Sequence, residues 1–178
     1  MFKKFSTEGL QISQVKNSVQ RSLSVQIVET YPSLDNAIDK ILPKKNISVA
    51  KAPDYITLIV IDDEILFFQQ RDGPLFPTLK LLHKYPNIMP RMQVDKGAVK
   101  FILGGANIMC PGFTSAGGNI STPIDKGQPV AIYVEGKQHA IAVGITSMST
   151  EEIKNINKGI AVETVHFLGD CLFLGDKI

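Results

Sequence analysis

The sequence predicts an α+β chain. An N-terminal α/β domain spans residues 1–92, a small, mostly β, barrel-like domain with two helices spans 93–173, and a short tail covers 174–178. Three observations predict it. Apolar spacing switches from helical to strand-like within the first 70 residues. Pro86 and Pro90, two prolines in five residues, make a stiff, extended connector. Beyond them, short apolar runs alternate with glycine and proline, the pattern of a small barrel.

The elements follow in order. Ile12, Val15, Val19, Leu23 and Ile27 share one stripe at helical spacing, which predicts an amphipathic helix from Ile12 to Glu29. Tyr31-Pro32 breaks it. Ser33 can cap a second helix with Leu34, Ile38, Ile41 and Leu42 on one face, stopped by Pro43. Tyr55 to Ile61 and Glu64 to Gln70 are β-rich runs flanking Asp62-Asp63, a hairpin pattern. Thr78 to Lys84 is a short helix with Leu79 and Leu82 inward. After the connector, Asn107–Cys110, Val130–Val134, Ala140–Ile145, Ile160–Val165 and Cys171–Leu174 are expected strands. Helices are expected near 95–103 and 150–157, the second opened by a capping box of Ser149 and Glu152.

Composition excludes several classes. With 178 residues, 44% hydrophobic and 20% charged, the chain is neither disordered nor fibrous. Net charge is +2. Residues 1–92 hold 12 basic and 9 acidic side chains, net +3, and residues 93–178 hold 7 and 8, net −1. Anion binding in the second half therefore needs placed residues, because no bulk field supplies it. Two cysteines, Cys110 and Cys171, make no disulfide framework and fit a reducing compartment. No apolar run approaches the roughly 20 residues that span a bilayer. The start, Met1-Phe-Lys-Lys-Phe-Ser6, lacks the apolar segment of a secretory signal. A cytoplasmic protein without membrane contact is the expectation.

The stretch Asp95 to Ala106 carries the most chemistry. Asp95 is a good N-cap. At about 100° per residue, Val94, Ala98, Phe101 and Ile102 share a face that packs on the barrel, and Lys96 and Lys100 fall together opposite. Like charges at i,i+4 repel, and an anionic partner beside the helix N-terminus removes that penalty. Gly97, Lys100 and Gly104 form a bare stripe along which a ligand can come close. Lysines on a helix are also commonly a solvated face, and glycines also serve close packing; on sequence both readings stand.

Val94-Asp-Lys-Gly-Ala-Val-Lys-Phe101, with Gly105-Ala-Asn-Ile-Met-Cys-Pro-Gly112, resembles the opening of a PUA domain, an RNA-binding β pseudobarrel found in pseudouridine synthases and archaeosine transglycosylases. Lys126-Gly-Gln-Pro-Val130, Ala140-Ile-Ala-Val-Gly144 and Lys158-Gly-Ile-Ala-Val162 fit the same pattern. In the first half, Met1 to Phe5, Leu66-Phe67-Phe68, Arg71-Asp-Gly-Pro74 and Pro77 to Pro86 resemble the malignant T-cell-amplified sequence family, a two-domain PUA protein of the translation machinery. The resemblance covers nearly the whole chain and departs in Gly9–Val28, Phe113–Thr122 and Cys171–Ile178. It implies a factor that binds the 40S ribosomal subunit with a density-regulated-protein partner and holds the tRNA acceptor end in its PUA domain. The implied roles are tRNA release and ribosome recycling, reinitiation and non-standard initiation. The matched RNA-contacting positions are Lys96, Gly97, Ala98, Lys100, Met109, Pro111 and Gly112, with Gly104 added by the bare stripe. Tyr133 and Phe113 can offer stacking faces or belong to the core.

Catalysis finds little support. His83 suits a helix surface, His139 a strand turn and His166 an interior. No serine or cysteine sits in a Gly-x-Ser-x-Gly elbow. A zinc site from Cys110, Cys171, His139 and His166 lacks the paired short spacings of structural zinc. Asp62-Asp63-Glu64 reads as a cation site or a solvated turn, and neither glycine pair begins a P-loop. No enzyme, cofactor or metal is expected. Alternatives are an accessory subunit of an RNA-modification enzyme, or an interaction scaffold without RNA binding. About 92 residues are too few for a pseudouridine synthase catalytic domain. For the partner surface the candidates are Phe67, Phe68, Phe76 and Tyr85, since exposed aromatics anchor interfaces; the same residues equally suit a core.

Overall fold

The structure, a computed structural model, describes residues 1–43 and 47–175. The first half is an antiparallel meander of five strands in chain order: β1 (Gln11–Gln14), β2 (Ile47–Ala52), β3 (Ile56–Ile61), β4 (Glu64–Gln70) and β5 (Phe76–Pro77). Helices α1 (Asn17–Thr30), α2 (Ile38–Ile41) and α3 (Leu79–Lys84) join it. The hairpin stands where the sequence places it: Ile61 pairs with Glu64 across Asp62 and Asp63, at φ 49° and 66°. Aspartate tolerates the left-handed turn that matches strand twist. Thr78 caps α3 by accepting from Leu81 N–H, and Leu79 and Leu82 are fully buried.

Three first-half expectations change. The helical stripe begins later than its apolar spacing suggests, because Gln11–Gln14 pairs with Ser48–Lys51 as an edge strand. Ile12 is therefore an exposed strand residue, while Ile27 anchors α1 in the core. The sequence reading missed β2, whose pattern is diluted by Ser48, Ala50 and Lys51. The second helix is a 3₁₀ segment, Pro32–Ala37, followed by the single turn α2; Ser33 is no cap and instead donates to the Asn87 carbonyl at 3.1 Å.

The second half is a curled half-barrel of five strands in the order β6 (Arg91–Val94), β8 (Pro129–Val134), β9 (Ala142–Thr146), β10 (Ile160–Phe167) and β7 (Ile108–Met109). β6 and β8 run parallel and the other pairs antiparallel. The connection from β6 to β8 carries a 3₁₀ turn (Lys96–Ala98), α4 (Val99–Leu103), β7 and α5 (Pro111–Thr114). α6 (Thr150–Ile156) opens with the expected capping box: Ser149 Oγ accepts from Glu152 N–H at 3.1 Å and Glu152 Oε2 from Ser149 N–H at 2.8 Å. The expected strand Cys171–Leu174 is a helix, α7, because Asp170 caps it by accepting from Phe173 N–H at 2.9 Å. Of the expected tail, residues 176–178 lie outside the described residues.

The two sheets share a core. Ala131, Tyr133, Ala140, Val143, Val165 and Leu172 pack in one cluster with Phe2, Phe67, Phe68 and the leucines of α3. His166 is at its centre, fully buried. Leu79 N–H donates to His166 Nε2 at 3.2 Å, so the proton sits on Nδ1, which donates to Asp170 Oδ2 at 2.8 Å. Asp170 also accepts from Phe167 N–H at 3.1 Å. Phe2 and Phe68 stand edge-on to the imidazole at 5.9 and 5.7 Å.

The proposed partner anchors are therefore misplaced. Phe67 and Phe68 are fully buried and Phe76 nearly so; only Tyr85, half-buried, keeps an exposed edge. Adjacent residues Phe67 and Phe68 point to opposite faces of β4, and both faces are covered. Phe68→Ala will cost about 3–5 kcal/mol of stability, measured by urea denaturation, as expected of a core cavity and not of a surface contact.

Candidate functional site

The loop between β6 and α4 is organised by Asp95. Its N–H donates to the Gly112 carbonyl at 2.9 Å, and its Oδ1 accepts from Ala98 N–H at 3.0 Å. One residue thus ties the start of the helical segment to α5. A Cβ on Gly97 would lie 3.0 Å from the capping oxygen, so glycine leaves the cap unstrained. On the far side, Cys110 N–H donates to the Gly159 carbonyl at 3.0 Å, and Asn107 Oδ1 accepts from Thr164 N–H at 3.1 Å. Both hold the β7 segment to the half-barrel.

Between these walls runs a groove of about 550 Å³. Gly97, Ala98, Met109, Pro111 and Gly112, five positions singled out from the sequence, line it together. Its floor is thin where Gly112 faces Ala98: a Cβ on Gly112 would reach Ala98 Cβ at 3.5 Å. Asp95, Phe101, Ile102, Ala106, Asn107, Ile108 and Ser115 complete the lining and were not read as such.

Lys96, Lys100 and Gly104 are not in the lining; they are exposed along the outer side of the same segment. Among the described residues neither ammonium forms an ion pair. Lys100 Nζ sits over the Phe101 ring, 4.9 Å from its centroid. Phe101 is a correction. The helical wheel turned it toward the barrel, but Ile102 takes that place at 1% exposure and Phe101 is 58% exposed. A segment split into a 3₁₀ turn and five α-residues does not hold the 100° phase that the wheel assumed. It is also too short for a helix dipole to matter. The lysines must act through their own charge.

The other candidates separate from this site. Tyr133 and Phe113 are buried; Tyr133 donates to the Pro86 carbonyl at 3.1 Å and carries the Arg91 guanidinium over its ring at 3.8 Å. His166 is the satisfied interior histidine described above. His83, expected at a helix surface, is half-buried, its Nε2 2.8 Å from the Ala140 carbonyl, with the His139 ring 4.9 Å away. Among the described residues no group of three or more His, Cys, Asp or Glu side chains is arranged to hold a metal ion.

Two domain families match the chain: the Pre-PUA-like domain over residues 2–86 and the PUA domain over residues 90–168. The malignant T-cell-amplified sequence 1 homolog of Drosophila melanogaster is 51% identical over 178 residues, 97% of each chain. Translation machinery-associated protein 20 of Saccharomyces cerevisiae is 49% identical over 177 residues, again 97% of each. Among solved structures, a hypothetical protein from Pyrococcus horikoshii superposes with a TM-score of 0.74 at 25% identity, over 93% of this chain and 99% of that one.

Cys110, between the groove residues Met109 and Pro111, supplies a pH signature. Burial raises its thiol above the ordinary range, against the lowering effect of backbone hydrogen bonds. The folded state then holds the proton more tightly than the unfolded chain, whose thiol titrates near pH ~8.5. The contribution is complete below that pH and is lost as pH rises through the raised folded value. Urea denaturation between pH 7 and 10 will show stability falling on the alkaline side, and Cys110→Ala will flatten the first part of that fall.

Proposed function

This chain belongs to the family of the malignant T-cell-amplified sequence and translation machinery-associated proteins, built of a Pre-PUA-like and a PUA domain, and from that membership we propose that it is a non-catalytic RNA-binding translation factor. It acts in the cytoplasm on the 40S subunit, with a density-regulated-protein partner, and its PUA half holds the acceptor end of tRNA. Release and recycling of tRNA, reinitiation and non-standard initiation are the steps this binding would serve.

One observation carries the reading. Two exposed ammonium groups, Lys96 and Lys100, which form no ion pair among the described residues, stand on the segment that walls an open groove with a floor of small residues. Single-stranded RNA ends are recognised by backbone contacts and by unstacked bases laid on apolar surfaces. The lysines suit phosphate; the floor at Gly97, Ala98 and Gly112 admits the ribose chain closely. Phe101 presents a ring face to a base. The polar groups in the lining are Asp95, Asn107 and Ser115.

A specific observation favours a second use of the same groove. Phe101, Leu103 and Met109 are 58%, 40% and 50% exposed and lie on or beside it, whereas Phe67, Phe68 and Phe76 are buried. An apolar anchor of the protein partner fits such a floor better than phosphate does, with the Asp95 carboxylate on its wall.

Titrating an acceptor-stem RNA with a single-stranded 3′ end at several salt concentrations tests the first reading. The slope of log affinity against log salt will shrink by about 1–2 in Lys96→Glu/Lys100→Glu. Absence of binding at low salt would leave the scaffold alternative. Phe101→Ala separates the uses: it will weaken RNA binding if a base stacks there. If the floor seats the partner, it will instead remove the density-regulated-protein-like chain from 40S fractions and leave the salt slope unchanged.

A further inference from the structure

The candidate site is not built from the PUA half alone. The chain's first residues pass beside it, at Gly105, next to the lining residue Ala106. Phe2 is fully buried, edge-on to Phe68 at 4.9 Å and to His166 at 5.9 Å. Its carbonyl accepts from Cys171 N–H at 3.1 Å, and the Lys3 carbonyl accepts from the Cys171 thiol at 3.2 Å. Residue 3 is thus fixed to the second half on its backbone side.

Its side chain runs over Gly105. A Cβ built on Gly105 would collide with Lys3 Cε and would lie 2.8 Å from Phe167 Cε1. Gly105 also has φ +73°, in the left-handed region. Glycine is therefore required there twice over: for the backbone turn that ends α4, and for the passage of the Lys3 stem. Lys3 is exposed, and among the described residues its ammonium has no ion-pair partner. Gly105 adjoins Ala106, which lines the groove.

Lys96 and Lys100 are both exposed, and the segment that carries them ends at Gly104, which has no side chain. The row of cations stops there, and the Lys3 stem crosses the next residue, Gly105. A cation from the first domain thus stands near where the row of the second domain ends. Because its stem already passes over Gly105, ordering it on a ligand costs less rotamer entropy than ordering a free lysine.

We propose that Lys3 is the third cation of a backbone-phosphate track shared by the two domains, continuing the line of Lys96 and Lys100 across Gly105. The proposal rests on the RNA-binding reading above and adds that the first domain contributes directly to the grip. Joining the domains then sets RNA affinity as well as stability.

The test measures fluorescence anisotropy of the acceptor-stem RNA against full-length protein over a range of sodium chloride. Lys3→Met keeps the packed stem and removes the charge. It will weaken binding severalfold and lower the salt slope by about 0.7, the loss of one phosphate contact on a single strand. Lys3→Arg will restore both, and Lys4→Met, on the exposed neighbour, will leave both at the wild-type level. If Lys3→Met binds like wild type while Lys96→Glu/Lys100→Glu loses affinity, the shared track is wrong and the RNA reading stands. Equal losses in Lys4→Met and Lys3→Met would reduce the effect to bulk charge and overturn it as well. If the double lysine variant keeps the wild-type slope, the RNA reading itself fails, and the track with it.

Discussion

A neutral imidazole holds the two halves of this protein in register. His166 lies in β10 of the second half, takes a hydrogen bond from the first backbone N–H of α3 in the first, and passes its own proton toward Asp170. Each partner is buried, so each bond forms in a medium where leaving it unmade is expensive. The same carboxylate caps α7, and α7 in turn receives the Phe2 and Lys3 carbonyls. One polar chain, sealed by Phe2 and Phe68, therefore fixes the domain angle, the C-terminal helix and the path of the first residues. Phe68, Phe76 and Tyr133 then have to be core residues, because the surfaces they would otherwise offer are pressed together by that joint.

The second consequence concerns charge. The PUA half is close to neutral, so it cannot gather RNA by a broad positive field. On the proposed reading, its recognition comes from a few cations in fixed places beside a surface with little bulk. Asp95 provides the fixing, since it binds both α5 and the turn that carries Lys96. Small residues at 97, 98 and 112 keep the surface low, and Phe101 and Met109 give it an apolar wall. A groove of this kind can serve a nucleobase or an apolar anchor of a protein, and in an assembly that contains both the two uses compete for one floor.

The legibility of the fold varies from element to element for physical reasons. The Asp62-Asp63 hairpin, the Asp95 cap and the capping box of α6 were readable because each is decided by residues within a few positions of one another. The edge strand at Gln11–Gln14 was not, since its only support is backbone pairing with β2, some forty residues away. A helical apolar period through Ile12 was the stronger local signal and lost to that pairing. Cys171–Leu174 looked like a strand by composition and became a helix through the Asp170 cap. At the candidate site, the small residues were legible as a group, but Phe101 was assigned to the wrong side, because a segment that begins as a 3₁₀ turn shifts phase before it reaches that position.

By itself the sequence determined the α+β class, the Asp62-Asp63 turn, the Asp95 cap and the Ser149 capping box, five of the residues that line the groove and the lack of a large net charge, all properties of neighbouring residues or of simple sums. Only the tertiary structure decided which aromatics face solvent, where the imidazole finds its partners, and that Lys3 lies beside Gly105. The Leu79–His166 bond and the Lys3 passage over Gly105 join positions 87 and 102 residues apart, and no spacing rule along the chain encodes which distant surfaces will meet.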